Sequence, residues 1–462
     1  MHTQTKAYYI ETYGCQMNEH DSEKMAAILE SMGLVETSTA ETADVVIINT
    51  CSIREKAEHK VYSALGSLRA LKAKNPGLVT VVAGCVAQQE KDRLLRRADH
   101  LDAVVGTHGI GELRDILERA WEKRDRCART EFSRDVSSLH MPAPRRGRSP
   151  MNSYVTIMQG CSNFCTYCVV PYTRGPEQSR PAGEIVAEVQ DLARQGVREV
   201  TLLGQNVNAY GKDRGDVSFA ELLRLLDLVE GLKRIRFTTS HPKDLDAALV
   251  QAMAELGSVC EHIHLPLQSG SDKVLHAMHR GYTRAEYLEK IAMLRENIPG
   301  IAITADMIVG FPGETEEDFS LTLSALAEIR YDQIFSFKYS ARPSTAARLF
   351  GDQIPEAVKA ARLAEVHALQ ESITDQYHKA AEGTAAEVLI EGFRERSSQA
   401  FGRTRQNKIV NIEAPDGLNV GDLVTVRIEQ GLKHSLRGKI SFVVTVHREE
   451  EGSPQRRREH RE

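Results

Sequence analysis

The feature that most restricts this chain is a repeated pair. A short run rich in valine and isoleucine is followed by a helix-length segment, again and again, through the first 340 residues. In the first 125 residues the runs are KAYYIET, ADVVIINT, LVTVVAG and LDAVVG. Helical patterns follow them near 20–32, 53–73, 87–97 and 109–125. Apolar runs without alternation suit strands covered on both faces, so this series predicts a parallel sheet between helices. From residue 151 the pairing restarts with SYVTIMQ, EVTLLG, RIRFTTS, EHIHLPL, IAITADMIVG and QIFSFKYS. Six such units predict a full or partial (βα)6 barrel, closed by a long amphipathic helix near 355–380.

From about 383 the pattern changes to AAEVLIEGF, QAFGRT, KIVNIEA, DLVTVRIEQ and KISFVVTVH, with turns such as APDGLNVGD between them. Five short strands of this kind predict a small OB-like β-barrel. LHMPAPRRGRSP (139–150) has three prolines, three arginines and no apolar period, so it reads as linker. The tail REEEGSPQRRREHRE is charged and free of aromatics, which predicts disorder. The expected class is α/β, with an α/β domain over 1–126, a linker over 127–150, a barrel domain over 151–380, a small β-barrel over 381–446 and a disordered tail over 447–462.

Composition sets the outer limits. The 462 residues suggest roughly two to four domains. Apolar residues are 41% and charged residues 27%, an ordinary globular balance. There is no apolar run long enough to span a bilayer, and MHTQTKAYYIETYG lacks the basic start and apolar core of a secretory signal. No membrane association and a cytoplasmic location are therefore expected. The formal charge of −5 does not advertise a nucleic-acid binder.

Eight cysteines are present, and in a long cytosolic chain clustered cysteines favour metal or catalysis over disulfides. Cys161, Cys165 and Cys168 form C-x3-C-x2-C directly after the first barrel strand. Loops at the carboxyl ends of barrel strands are where these folds hold their chemistry. Three thiolates can hold three irons of a [4Fe–4S] cube and leave the fourth open to a small molecule; a zinc knuckle with a distant fourth ligand is the alternative. Gly160 would let the backbone approach closely. Cys15, Cys51 and Cys85 are 36 and 34 residues apart, each just past a predicted strand in IETYGC, IINTC and VVAGC. Parallel strands bring such ends to one sheet edge, where ligands bind. The plain alternative is three unrelated, partly buried cysteines. Cys127 and Cys260 read as structural.

These stretches resemble the radical S-adenosylmethionine methylthiotransferases, over about 1–446. CSNFCTYC is similar to that family's cluster motif, the three N-terminal cysteines to its auxiliary cluster set, and the last barrel to a TRAM domain. ETYGCQMNEHDSE, NTCSIREKAEHK, GCVAQQE, TRGPEQSRP, LLGQNVNAYG, TSHPKDL, HLPLQSGSD, RGYTR and IVGFPGETEEDF most resemble the bacterial branch acting on N6-dimethylallyladenosine in tRNA. The resemblance implies two [4Fe–4S] clusters, one on Cys161, Cys165 and Cys168 and an auxiliary one on Cys15, Cys51 and Cys85. It implies S-adenosylmethionine used twice, as source of a 5′-deoxyadenosyl radical and as methyl donor, with C2 of the adenine beside the anticodon as target. A radical suits that C2–H, which is not acidic and carries no leaving group. Gly204, Gln205, Ser240, Gln268 and Gly310 are the implied cofactor contacts, with a turn or rim role as the alternative for each. Arg174 either pairs with a carboxylate or bridges the surface. A low-potential donor such as flavodoxin or ferredoxin, and a monomer, are expected.

One departure stands out. The family's SPRPGT reads SARPST here (340–345), with Ala341 and Ser344 in place of proline and glycine. RNA is only faintly legible: Arg394, Arg396, Arg403, Arg405, Lys408, Lys433, Arg437 and Lys439 mark the last domain, but acids balance them. Competing readings are methylthiolation of ribosomal protein S12 or of threonylcarbamoyl-adenosine in tRNA, and a non-catalytic iron–sulfur RNA-binding or carrier protein. A carrier would ligate all four irons, which a three-cysteine motif does not.

Overall fold

A computed structural model describes residues 5–52, 55–133, 151–215, 217–394 and 398–444, without the side chains of 55–60 and 443–444. The linker segment 139–150, the tail and Arg396 lie outside the described residues. The chain divides into two compact units, one running to Tyr377 and including Arg405–Asn407, the other comprising the rest from His378 onward. Residues 7–129 and the central barrel thus share one compact unit.

The first unit opens with a six-stranded sheet: β1 (Ala7–Tyr13), β2 (Val35–Glu36), β3 (Val45–Thr50), β4 (Val79–Gly84), β5 (Ala103–Val105) and β6 (Cys127–Arg129). Its order is β2-β1-β3-β4-β5-β6, parallel throughout. VVIINT and VTVVAG are buried at every position, because helices cover both faces. Val45, Ile47, Val79 and Val81 pack with α1 (Gln16–Ser31) and α5 (Leu113–Lys123). Val46, Ile48, Val82 and Val104 pack with α2 (Glu55–Lys74) and α4 (Asp92–Arg97) on the other face. The single helix expected near 87–97 is two: α3 (Cys85–Glu90) and α4, broken where Lys91 takes φ +51. Residues 127–129, read as the start of a linker, are the sixth strand. A three-residue strand carries too few side chains to show a period.

The central series forms β7 (Asn152–Thr156), a ribbon of β8 (Met158–Gln159) and β9 (Gln178–Ser179), then β10 (Glu199–Leu203), β11 (Arg234–Phe237), β12 (His262–His264), β13 (Ala302–Val309) and β14 (Gln333–Lys338). Strands β7, β10 and β11 form one parallel sheet and β12, β13 and β14 another. A bridge between Ile235 and Val259 joins the two halves. The result is the six-strand α/β barrel expected, with β7 and β14 as its edges. Val155, Val200, Ile235, Ile263, Ile303 and Met307 pack outward under the helices. The long helix Glu356–Ala380 adds Val366 to that core.

The second unit is a closed barrel, β15 (Ala385–Phe393), β16 (Gln399–Thr404), β17 (Ile409–Glu413), β18 (Leu423–Gly431) and β19 (Leu436–Val444), ordered β15-β16-β17-β19-β18. Alternation along β16, β17 and β18 puts Ala400, Val410, Ile412, Val424 and Val426 inside. Among the described residues no helix is long and apolar enough to cross a membrane.

Candidate functional site

Three adjacent strands carry the first cysteine set. Register pairs Tyr13 with Thr50 and Thr50 with Gly84, so β1, β3 and β4 end level. Cys15 follows two residues after β1 and caps α1; Cys51 follows β3; Cys85 follows β4 and opens α3. The three converge: the Cys51 side chain hydrogen-bonds both Cys15 and Cys85. Gly84 is required there, since at φ +89 a Cβ would meet Thr50 O at 2.4 Å. Two asparagines fix the loops. Asn18 Nδ2 donates to Asn49 Oδ1 (3.2 Å) and to Thr50 O (3.1 Å), and Asn49 Nδ2 donates to Asn18 O (2.8 Å). Hydrogen bonding from Cys51 lowers the thiol pKa of Cys15 and of Cys85, and the Arg174 charge lowers both further. Cys51 is raised by the same hydrogen bonds.

The second set lies on a loop held at its base by the β8–β9 ribbon, Met158 opposite Ser179 and Gln159 opposite Gln178. Gly160 opens the loop at φ +83, where a Cβ would fall 2.0 Å from Pro176 O. Thr166 anchors the middle: its N–H donates to Met278 O (3.0 Å), its Oγ1 to Ala277 O (2.8 Å), and its carbonyl accepts from Ala347 N (2.8 Å). Burial pushes the thiols up, Cys161 to about 11 and Cys168 to about 12. Buried thiols of this kind become thiolates only with a metal or another cation to offset the charge.

The two sets are mechanically joined. Helix α6 (Val170–Arg174) starts two residues after Cys168 and packs on α3, which starts at Cys85. Thr107 Oγ1 donates to Thr173 O (2.6 Å). Arg174 is buried and its Nη2 donates to Asp21 Oδ2 at 2.8 Å, which decides between the two readings of that residue. Its Nη1 is buried without a partner among the described residues.

The candidate cofactor contacts line successive strand ends. Gly204 and Gln205 follow β10, Ser240 follows β11, Gln268 follows β12 and Gly310 follows β13. Gln205 Oε1 accepts from Gly160 N, which ties this rim to the cysteine loop. Gln205 Nε2, Ser240 Oγ and Gln268 Oε1 are all buried with no hydrogen-bond partner among the described residues. Buried polar atoms are rarely left so, and three at one rim mark a place where a polar ligand fits. Gln268 takes φ +74 and its backbone bonds to Asp306 and Ile308 of β13. Gly310 takes φ +70 and a Cβ there would meet Lys359 Cγ at 2.3 Å. Its N–H donates to Glu314 Oε1 (2.8 Å), a carboxylate that also accepts from Arg362 Nη1 (2.6 Å).

Among the described residues no group of His, Cys, Asp and Glu is set to hold a single metal ion. A four-iron cube is a larger object that takes one cysteine per iron, and two all-cysteine sets suit it. Cys127, at the start of β6, and the buried Cys260, before β12, lie away from both sets. Several residues escaped sequence reasoning. Asn18 and Asn49 sit three and two residues from cysteines, which is a weak local signal. Arg280, whose Nη1 lies 3.3 Å from Cys165 Sγ, has none. In the second unit, Arg403 pairs with Glu391 (3.2 Å) and Lys439 with Glu429 (3.1 Å), so part of its basic charge is opposed. Phe393 and Phe442 are exposed aromatics on that barrel that sequence reasoning also passed over.

Comparison with known proteins follows the same division. Residues 7–106 match an uncharacterized protein family, UPF0004; residues 155–326 match the Radical SAM superfamily; residues 379–441 match the TRAM domain. The tRNA-2-methylthio-N(6)-dimethylallyladenosine synthase of Geotalea uraniireducens is 50% identical over 439 residues, covering 95% of this chain and 99% of its own. The protein of the same name from Geobacter metallireducens is 51% identical over 440 residues, again 95% and 99%. Among solved structures, the radical S-adenosylmethionine methyltransferase TsrM of Kitasatospora setae, with cobalamin and a [4Fe–4S] cluster bound, has a similar fold. It aligns with a TM-score of 0.57 at 14% identity over 75% of this chain and 74% of that one.

Proposed function

We propose that this chain, which belongs to the family of the tRNA-2-methylthio-N(6)-dimethylallyladenosine synthases, methylthiolates C2 of N6-dimethylallyladenosine next to the anticodon of tRNA. The observation that carries the reading is the union, in one compact unit, of two three-cysteine sets joined through α3 and α6. One set opens onto a barrel rim with three unsatisfied polar groups.

Cys161, Cys165 and Cys168 would hold one [4Fe–4S] cluster, and Cys15, Cys51 and Cys85 a second. When bound, the clusters and S-adenosylmethionine supply one-electron chemistry, sulfur and methyl, none of which side chains provide. The chain's own residues bind and orient. Gly160 and Gly204 keep the rim free of side-chain bulk, since a Cβ at Gly204 would press on Met158 at 2.5 Å. Gln205, Ser240 and Gln268 offer donors and an acceptor suited to a polar, zwitterionic ligand. Gly310, held by Glu314 and Arg362, presents bare backbone to a flat base. Cys51, Cys85, Cys161 and Cys165 are buried while Cys15 and Cys168 are half-buried, so each set keeps one sulfur nearer to solvent.

The domain limits 151–380 and 381–446 go with this reading, with the first domain extended through β6 to Arg129, as do a cytoplasmic location, a monomer and a flavodoxin- or ferredoxin-like donor. The closed barrel of the second unit suits single-stranded RNA, with Phe393 and Phe442 as stacking surfaces. The deciding experiment is mass spectrometry of tRNA nucleosides from cells lacking the gene. The 2-methylthio nucleoside should vanish and N6-dimethylallyladenosine accumulate; an unchanged nucleoside profile overturns the reading.

A further inference from the structure

Arg280 is a buried cation with no acid beside it among the described residues. Its Nε donates to Tyr282 OH (2.9 Å), its Nη2 to Pro266 O (3.1 Å), and its Nη1 to Tyr167 OH and to Cys165 Sγ, both at 3.3 Å. Among the described residues no Asp or Glu is its partner, although the residue is only 5% exposed. Buried charges are normally paired. Other deeply buried arginines obey this: Arg174 with Asp21 at 2.8 Å, Arg180 with Glu188 at 2.7 Å, Arg236 with Glu199 at 3.0 Å and Arg362 with Glu314 at 2.6 Å.

The guanidinium is also held rigidly. Arg280 N donates to Leu275 O (3.0 Å), closing the turn after helix Asp272–Ala277. Three residues on, Thr283 caps the helix Arg284–Asn297. Tyr282 spends its own proton on Pro266 O (3.1 Å) and Leu267 O (2.9 Å), so its oxygen is left to accept from Arg280. One nitrogen is thereby aimed at the sulfur.

We infer that Arg280 is a positioning residue whose counter-anion is the Cys165 thiolate with the cluster it ligates. It orients that sulfur, offsets the negative charge of the cluster site and raises its reduction potential. This rests on the assignment of Cys161, Cys165 and Cys168 as cluster ligands. A cation in a poorly hydrated site favours the more negative, reduced state of its neighbour.

The test uses the full chain carrying Cys51→Ala, so that one cluster is titrated, with Arg280→Met and Arg280→Lys compared. Arg280→Met should move the cluster potential to more negative values in a dye-mediated titration followed by electron paramagnetic resonance, and Arg280→Lys should move it less. In the iron-free protein Arg280→Met should leave the urea midpoint undiminished, because it removes an uncompensated charge. An unchanged potential, or a lowered midpoint in the iron-free protein, overturns the inference. Failure of the Cys51→Ala parent itself to take up a cluster would instead remove the ligand assignment beneath it.

Discussion

Arg174 Nη2 lies 2.8 Å from Asp21 Oδ2, two residues separated by 153 positions in sequence and shielded together from water. Asp21 stands on α1, which Cys15 caps, and Arg174 ends α6, which follows Cys168. One ion pair therefore ties the helix behind one cysteine set to the helix behind the other. Breaking such a pair from one side strands a buried charge, at about 3–5 kcal/mol. Asp21→Ala should cost about that much in urea unfolding of the iron-free chain. Replacing both residues with apolar ones, Asp21→Leu with Arg174→Met, should cost far less. Equal losses in the two variants would mean that packing, not charge, joins these helices.

Iron content separates the two cysteine sets. Reconstituted without oxygen, the chain should bind about eight irons, and Cys15→Ala about four, as two four-iron cubes require. Cys165→Ala should also halve the iron and should abolish release of 5′-deoxyadenosine, which Cys15→Ala should retain. Zinc in place of iron, or undiminished iron in Cys15→Ala, contradicts the two-cluster assignment.

The departure at 340–345 has a backbone consequence. Ser344 takes φ +67, a conformation glycine adopts freely and serine does not. Ser344→Gly should stabilise the protein by about 0.5–1 kcal/mol, and Ser344→Val should destabilise it, measured by urea unfolding. A loss on Ser344→Gly would show that the turn carries no strain. The turn matters to the site because Ala347 N, three residues on, holds Thr166 O in the cysteine loop.

Part of the protein's acid sensitivity should trace to His241. Burial, aided by the charge of Arg280, holds its ring neutral down to about 2. Its Nδ1 accepts from Lys243 N (3.3 Å), as a neutral ring does. Because the unfolded chain binds a proton below about 6.5 and the folded chain does not, stability falls as pH drops through that window. From pH 7 to 5 this histidine should account for about 2 kcal/mol, a loss largely absent in His241→Gln. Matching pH profiles of the two proteins would rule it out.

Much of this was legible in the chain because it is local or periodic. The runs VVIINT and VTVVAG announce buried parallel strands, and a cysteine at the end of each announces a shared edge. The C-x3-C-x2-C spacing within the eight residues from Cys161 to Cys168 is itself suited to ligation. What escaped depends on tertiary pairing. Cys165 and Arg280 are 115 positions apart, and nothing around RGYTR predicts that its first arginine meets a sulfur. The break at Lys91 escaped because GCVAQQEKDRLLRR keeps a helical apolar pattern through it; only the backbone turns. The strand at Cys127 is simply too short to have a pattern.

The level ends of β1, β3 and β4 also dictate an order of manufacture. Cys15, Cys51 and Cys85 become neighbours only after three strands have paired in register, which involves the chain from Ala7 to Cys85. Cys161, Cys165 and Cys168 share one short loop and are near each other in any compact state. If both sets hold iron as proposed, the second could catch it early, while the first would wait for a finished sheet. On the proposed two-cluster assignment, iron would meet one receptor that is born with its loop and another that exists only as a product of folding.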